Sequence, residues 1–352
     1  MGIVARLRQA CSGAEPVGHV VTGGRRVPRI AARWSARDWM GALRARVGIM
    51  RHSYRVEAGL YALGNPGPQD PVLATACYKL SFDHVRRALR GRDAWILVLE
   101  TKGINVWCAA GKGTFGTDEL VRRLGESGLE DIVSHRRVVV PQLGAPGVEA
   151  PRVKSESGFE VIYGPIRARD LPEYLDAGME AAPEMRSVTF SASERLVLTP
   201  VEVKQGLKYA AGLFALLAAG AAPGGADAML NRLPAAGLLA GSGLGGGAVL
   251  TPALLPWLPG RAFALKGGSV GLLLGALCWF GAGSGAGLDG AVGAAACLLM
   301  AGALSAFLGM KFTGSTPYTS LSGVEKEVRR ALPVQIGACA LGVVLWLLTC
   351  II

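Results

Sequence analysis

The chain has 352 residues, 51% of them hydrophobic, a formal net charge of +11, and seven cysteines with no C-x-x-C pair. That length suggests two domains, and the cysteine spacing argues against a self-contained zinc or iron–sulfur centre or a disulfide framework. The basic excess admits nucleic acid, lipid headgroups or an acidic protein as partners, but no nucleic-acid-binding signature occurs, so nucleic acid is set aside.

The charge is concentrated at the start. From Met1 to Val56 eleven arginines face only Glu15 and Asp38. This basic segment, residues 1–54, reads either as a solvated arm or as a surface for anionic lipid or an acidic electron carrier. It lacks an apolar stretch with a cleavage-like site, so no signal peptide is expected. Asp38–Val47 is a helix candidate within it.

Residues 55–200 have the composition of a soluble α/β domain. Six short apolar runs predict strands at Arg55–Leu63, Val72–Tyr78, Trp95–Glu100, Val138–Val140, Glu160–Tyr163 and Ser187–Phe190. The run Trp95–Glu100 (WILVLE) is apolar almost throughout, as in a central strand buried on both faces. Helical stretches alternate with the strands. Ser81–Arg90 repeats Phe82, Val85 and Leu89 at helical spacing. Thr117–Leu124 opens with a capping residue and two acids, and Asp170–Ala177 is a further candidate. This alternation predicts a mainly parallel sheet, which binds ligands at the C-terminal ends of its strands. Gly- and Pro-rich loops follow several strands: Gly64–Pro68, Gln142–Gly147 and Tyr163–Pro165. They are either simple turns or places where backbone approaches a large flat ligand.

The segment that carries chemistry is TKGINVWCAAGKGTFGT, Thr101–Thr117. Asn105 is placed to cap a short helix, with Cys108 in its first turn, where free amides and the helix dipole favour a thiolate. Lys112 adds positive charge, and Ala109, Ala110 and Gly111 leave room for something bulky. Such a thiolate serves as a nucleophile or as a soft metal ligand. The first role wants a base, for which His84 and His135 are available. The bland reading makes Trp107 and Cys108 core residues of a small helix.

The run NVWCAAGK (Asn105–Lys112) resembles, at every position, the cap-helix motif of the corrinoid protein of microbial mercury methylation, the HgcA family. The flanking TKGI and GTFGT, PVLATACYKL (Pro71–Leu80) and YGPIRARDLP (Tyr163–Pro172) are also similar. The resemblance runs from about Leu60 to the C-terminus and leaves the basic start unexplained. It implies a Rossmann-like corrinoid-binding domain related to that of the corrinoid iron–sulfur protein, with a cobalamin-type cofactor. It further implies that Cys108 is the catalytic residue and the lower axial ligand of cobalt. Thr101, Asn105, Val106, Trp107, Ala109, Ala110, Gly111 and Lys112 would lie at the corrin, with Thr75, Gly144 and Gly164 in segments surrounding the ring and its nucleotide tail. The implied activity is that of a corrinoid-dependent methyltransferase, passing a methyl group from methyl-Co(III) to Hg(II). Its partners would be a methyl-donor methyltransferase and a ferredoxin-like protein with two 4Fe–4S clusters (HgcB).

Residues 201–352 are rich in Gly, Ala and Leu and predict an all-α transmembrane domain of about five helices. The spans read as Lys204–Ala222, Leu233–Trp257 (interrupted by Pro252 and Pro256), Ala262–Ala282, Ala291–Met310 and Ala331–Ile352. One set of flanks carries Lys204, Lys208, Arg261, Lys266, Lys311, Lys326, Arg329 and Arg330, and the other only Arg232. The positive-inside rule then predicts a cytoplasmic-membrane protein with its soluble domain in the cytoplasm and its C-terminus external. Gly241, Gly245, Gly283 and Gly287 have the spacing of close helix packing. Cys278, Cys297, Cys339 and Cys350 read first as small apolar residues, and otherwise as thiols that pass Hg(II) inward. Two other functions fit the same sequence. One is a membrane-anchored corrinoid methyl carrier of one-carbon or acetyl-CoA metabolism; the other is a transporter or sensor with a cytoplasmic binding domain.

Overall fold

The computed structural model describes residues 15–281, 288–316 and 321–349. The chain divides into two compact units, Met1–Val188 and Thr189–Ile352. The break lies ahead of the 200/201 boundary suggested by composition. Ser187–Phe190, expected as a last strand, is not one. Instead Phe190 packs with Leu255, Phe263 and Phe312 of the second unit, so the segment after Val188 belongs with the helices.

The first unit is built on a seven-stranded sheet of order β1-β2-β3-β5-β4-β6-β7. Its strands are β1 (Pro16–Thr22), β2 (Arg25–Ile30), β3 (Gly59–Leu63), β4 (Val72–Ala76), β5 (Ala94–Leu99), β6 (Arg137–Pro141) and β7 (Glu160–Gly164). The parallel part runs β5-β4-β6-β7. β3 pairs antiparallel with β5, and the β1–β2 hairpin is antiparallel, so the sheet is mixed. β5 is buried along its whole length, as the WILVLE run requires.

Side chains alternate between the two faces of each strand. Val72, Ala74, Ala76, Leu97, Leu99, Val138 and Val140 form one core face. Leu73, Cys77, Ile96, Val98 and Val139 form the other. The first face also holds Leu120 and Leu124, from a helix at Thr117–Ser127, and Val153, from a helix at Ala150–Ser157. The second holds Phe82 and Val85, from a helix at Lys79–Ala88, and Tyr174, from a helix at Leu171–Asp176.

The described part of the basic start, residues 15–54, folds into the domain rather than forming a solvated arm. β2 joins the sheet beside β3, with Ile30 opposite Leu63. Helix α1 (Ala36–Arg46) is opened by Ser35 and Asp38, which cap each other's backbone N–H groups. Asp38 then reaches into the interior. The Lys79 ammonium lies 2.5 Å from Asp38 and 2.8 Å from Asp83, and the Arg86 guanidinium 2.9 Å and 2.7 Å from the same two acids. Asp83, Lys79 and Arg86 are all buried. Opposite charges removed together from water are tolerated only with such complete pairing. The tie fastens α1 to the helix that follows β4, which we call α2 (Lys79–Ala88). Residues 1–14 lie outside the described residues.

The second unit contains helices at Thr199–Ala221, Ala226–Gly245, Phe263–Gly281, Leu288–Lys311 and Leu321–Leu348. Among the described residues four segments are long and apolar enough to cross a membrane: Met229–Leu254, Phe263–Gly281, Gly290–Gly314 and Ser322–Leu348. The first expected span, Lys204–Ala222, falls largely in the helix Thr199–Ala221, whose opening turns carry Glu202, Lys204 and Lys208, and it is not among the four. The second span continues through a π-turn at Gly246–Leu250 into Thr251–Leu254. Among the described residues, close packing falls on glycines other than Gly241 and Gly245. Gly241 and Gly245 face open space, whereas a Cβ at Gly271 would sit 2.5 Å from the Ala301 carbonyl and one at Gly247 2.6 Å from Ser305 O. Gly283, Gly287 and Cys350 lie outside the described residues.

Candidate functional site

Chain order along the parallel strands reverses between β4 and β6, which makes their C-terminal ends the crevice where such sheets take ligands. The connection leaving β5 at this edge carries Cys108. It begins with a sharp turn in which Lys102 and Gly103 both adopt left-handed backbone, φ 57° and 73°. A lysine there costs about 1 kcal/mol, and the turn is held by bonds that the sequence reading missed. Cys77, buried at the end of β4, accepts N–H hydrogen bonds on its sulfur from Thr101 (3.3 Å) and Gly103 (3.2 Å). The Thr101 hydroxyl donates to the Ile104 carbonyl at 2.7 Å. Thr101 is therefore a buried structural residue of the turn.

Helix α3 (Val106–Gly111) follows. The Asn105 side-chain oxygen accepts the Cys108 N–H at 2.9 Å, in the capping arrangement expected from sequence. Val106, Ala109 and Ala110 face the core, over Phe115. Trp107, Cys108, Gly111 and Lys112 are turned outward, Trp107 with 42% of its surface exposed. Gly111 and Gly113 have nothing within 4 Å of where a side chain would begin. The reading of Trp107 and Cys108 as core residues is thereby excluded. An exposed thiol, flanked by an indole and by backbone without side chains, is a surface that a flat macrocycle can cover, with sulfur available to a metal.

The loop residues behave differently from Cys108. In the Gln142–Gly147 connection, a Cβ on Gly147 would lie 2.2 Å from Phe115 O and 3.2 Å from Ala110 Cα. Gly144 is buried against the Phe115 ring. These glycines let the connection after β6 press against the α3 segment from behind. Gly164 is packed against Val139, beside Tyr174. Gly144 and Gly164 thus meet the protein's own side chains. Thr75 is buried in β4, on the sheet face opposite Ala74 and Ala76, and its hydroxyl has no hydrogen-bond partner. The Tyr163 hydroxyl donates to the Val148 carbonyl at 2.7 Å, and burial pushes its pKa up.

Neither histidine joins the thiol. His135 is bonded to the Asp70 carbonyl, ahead of β4 and so at the other end of the sheet, and His84 packs edge-on against Trp34. Neither His84 nor His135 is therefore placed to act as a base for Cys108. Among the described residues no group of three or more His, Cys, Asp or Glu side chains is gathered to hold a metal ion.

Fold and site together define an α/β domain that presents, among the described residues, one exposed thiol on a capped helix at the ligand-binding edge of its sheet. The family model described as CO dehydrogenase/acetyl-CoA synthase delta subunit matches residues 39–175. This stretch runs from within α1 to the helix at Leu171–Asp176, and so includes α3. Among curated proteins, the acetyl-CoA decarbonylase/synthase complex subunit gamma of Archaeoglobus fulgidus is 33% identical over 128 residues, 36% of this chain and 27% of the relative. The corresponding subunit of Methanopyrus kandleri is 32% identical over 128 residues, with the same shares of each chain. Subunit gamma 2 of Methanosarcina mazei is 31% identical over 130 residues, again 36% and 27%. The chain thus spans about a quarter of the length of these relatives. The stretch matched by the family model lies within the first unit and contains Cys108.

Proposed function

We propose that this chain is a membrane-attached corrinoid protein that carries methyl groups, and that Cys108 would hold the corrinoid's cobalt as a thiolate ligand. The observation that carries the reading is the exposed Cys108, held on a capped helix within the part of the chain that is similar to corrinoid proteins. A bound corrinoid supplies the centre that accepts and releases the methyl group. The chain's own residues supply the rest. Bound to the metal, Cys108 would offer a thiolate sulfur, a stronger electron donor than an imidazole. Asn105 fixes the first turn of α3 and with it the sulfur. Trp107, Gly111 and Lys112 form the surface that receives the ring, while Cys77 and Thr101 hold the turn beneath it. Four apolar helices supply the attachment to lipid.

For the methyl acceptor, the similarities favour a carrier of one-carbon or acetyl-CoA metabolism over mercury methylation. A second reading, transfer to Hg(II), is favoured by one specific feature, the NVWCAAGK run at Asn105–Lys112 with its outward Trp107 and Cys108. Both readings call for a methyl-donor methyltransferase and for an external reductant, for which a ferredoxin-like protein with two 4Fe–4S clusters is the proposed partner. Methylmercury formation from Hg(II) by the reconstituted chain, set beside methyl transfer to a protein of the acetyl-CoA type, separates the two.

The test of the common reading is the cobalt content and visible absorption of the full chain after reconstitution with cobalamin under reducing conditions. The wild type should retain cobalt, and its spectrum should change in Cys108→Ala. A cobalt-free wild type, or identical spectra from the two proteins, would remove Cys108 as the ligand.

A further inference from the structure

The helical unit contains a groove that has no part in the proposed function as set out above. It encloses about 850 Å3 along the helices Phe263–Gly281, Leu288–Lys311 and Leu321–Leu348. Leu265, Leu272, Leu298 and Val334 give it apolar walls, and Lys326 and Arg330 stand at one end. Glu327 lies beside them, but its carboxylate already accepts the Ala264 N–H at 2.7 Å. Deeper in, Gln335 lines the same groove. It is only 7% exposed, and both its amide oxygen and its amide nitrogen are buried without a hydrogen-bond partner.

Positions 326, 330, 334 and 338 repeat every four residues, so these side chains form one stripe along their helix. At 1.5 Å per residue, Gln335 lies about 7.5 Å further along the helix than Arg330. An amide abandoned at that depth in an apolar setting is costly, and a polar residue inside a membrane segment marks a ligand more often than an accident. The groove asks for a molecule with a negative charge at the Lys326–Arg330 end, a hydrogen-bonding oxygen a few ångströms below it, and hydrocarbon beyond.

We propose that the groove binds one anionic phospholipid. The phosphate lies between Lys326 and Arg330, the Gln335 amide donates to an ester carbonyl of the glycerol backbone, and the acyl chains run along the leucine wall. An isoprenoid quinone would satisfy Gln335 and the wall but leave both cations unanswered. Free phosphate would answer the cations alone.

The full chain, stripped of lipid in detergent, is titrated with phosphatidylglycerol, phosphatidylcholine or inorganic phosphate, and followed by native mass spectrometry and thermal unfolding. The wild type should hold one phosphatidylglycerol at least ten-fold more tightly than phosphatidylcholine. The double variant Lys326→Ala/Arg330→Ala should lose about thirty-fold in phosphatidylglycerol affinity, the effect of two basic side chains at an anionic surface. Gln335→Leu should unfold at the same temperature as the wild type or higher when lipid-free, since it removes an unpaired buried amide, yet gain less from added phosphatidylglycerol. The proposal would be overturned by equal retention of the two lipids by the wild type, undiminished phosphatidylglycerol binding in either variant, or displacement of the lipid by a co-purifying quinone. Stabilisation by inorganic phosphate equal to that by phosphatidylglycerol would also overturn it.

Discussion

Replacing Asn105 by alanine removes the one side-chain cap on α3 without touching the thiol. The helix has six residues, and its first turn leaves N–H groups with no partner inside the helix. Ala109 N–H is bonded to the Asn105 backbone carbonyl, which alanine keeps. Cys108 N–H is bonded to the Asn105 side chain, which alanine lacks. Loss of such a cap costs about 1 kcal/mol, or about five-fold in the equilibrium for local opening. In so short a helix little else absorbs the loss, so the opening should stay local to α3. Hydrogen exchange followed by mass spectrometry on peptides covering Cys108 would show it as about five-fold faster exchange in Asn105→Ala. Asn105→Asp and Asn105→Ser should stay near the wild type, and Asn105→Gly should lose only a few tenths of a kcal/mol. Unchanged exchange at Cys108 in Asn105→Ala, or the same acceleration in all four variants, would refute the capping argument.

Three other outcomes follow from the fold. Asp83→Ala leaves the Lys79 and Arg86 charges buried with only Asp38 to share, and should cost about 3–5 kcal/mol in thermal unfolding of the first unit. Burial pushes the Asp38 carboxyl up. Hydrogen bonds from Lys79, the Ser35 backbone and Arg86, together with the Lys79 charge, outweigh that and hold it well below the usual carboxylate range. Its stabilising contribution is therefore complete above about pH 4, the ordinary carboxylate value, and declines as pH falls further. In Asp38→Asn the acid-induced loss of stability should be shallower. Gly147→Ala places a methyl group against Phe115 O and Ala110, so it should destabilise by about 1–3 kcal/mol and lower cobalamin affinity, both measurable by thermal shift with and without cofactor.

The cap helix was legible because its signals are local. A capping asparagine, small residues on the core side and glycines at the end all act within one turn of chain. The buried central strand was legible from WILVLE for the same reason. The hairpin at the start was masked by its charge. Its arginines suggested a solvated arm, whereas Gly23–Gly24, with φ of 54° and 71°, is the two-residue turn that joins paired strands. The glycines of the Gln142–Gly147 connection were read by type, and type does not say what approaches them. Gly144 meets a phenylalanine from 29 positions earlier in the chain, a contact that only the folded sheet creates. Cys77 carried no local signal either, since its partners arrive with the next strand.

The β2–β3 seam has a practical consequence for dissecting this protein. A version trimmed to begin at residue 55 would look sensible from the charge profile. It would, however, strip β3 of the neighbour that now covers Ala62 and Leu63, both fully buried. An apolar strand left as a bare sheet edge recruits other chains and precipitates. The same cut would remove Asp38 and leave Asp83 alone to pair with both Lys79 and Arg86. Failure of such a fragment to take up a corrinoid would report on its own damaged sheet and say nothing about Cys108, so a soluble version intended for cofactor work has to start ahead of Pro16.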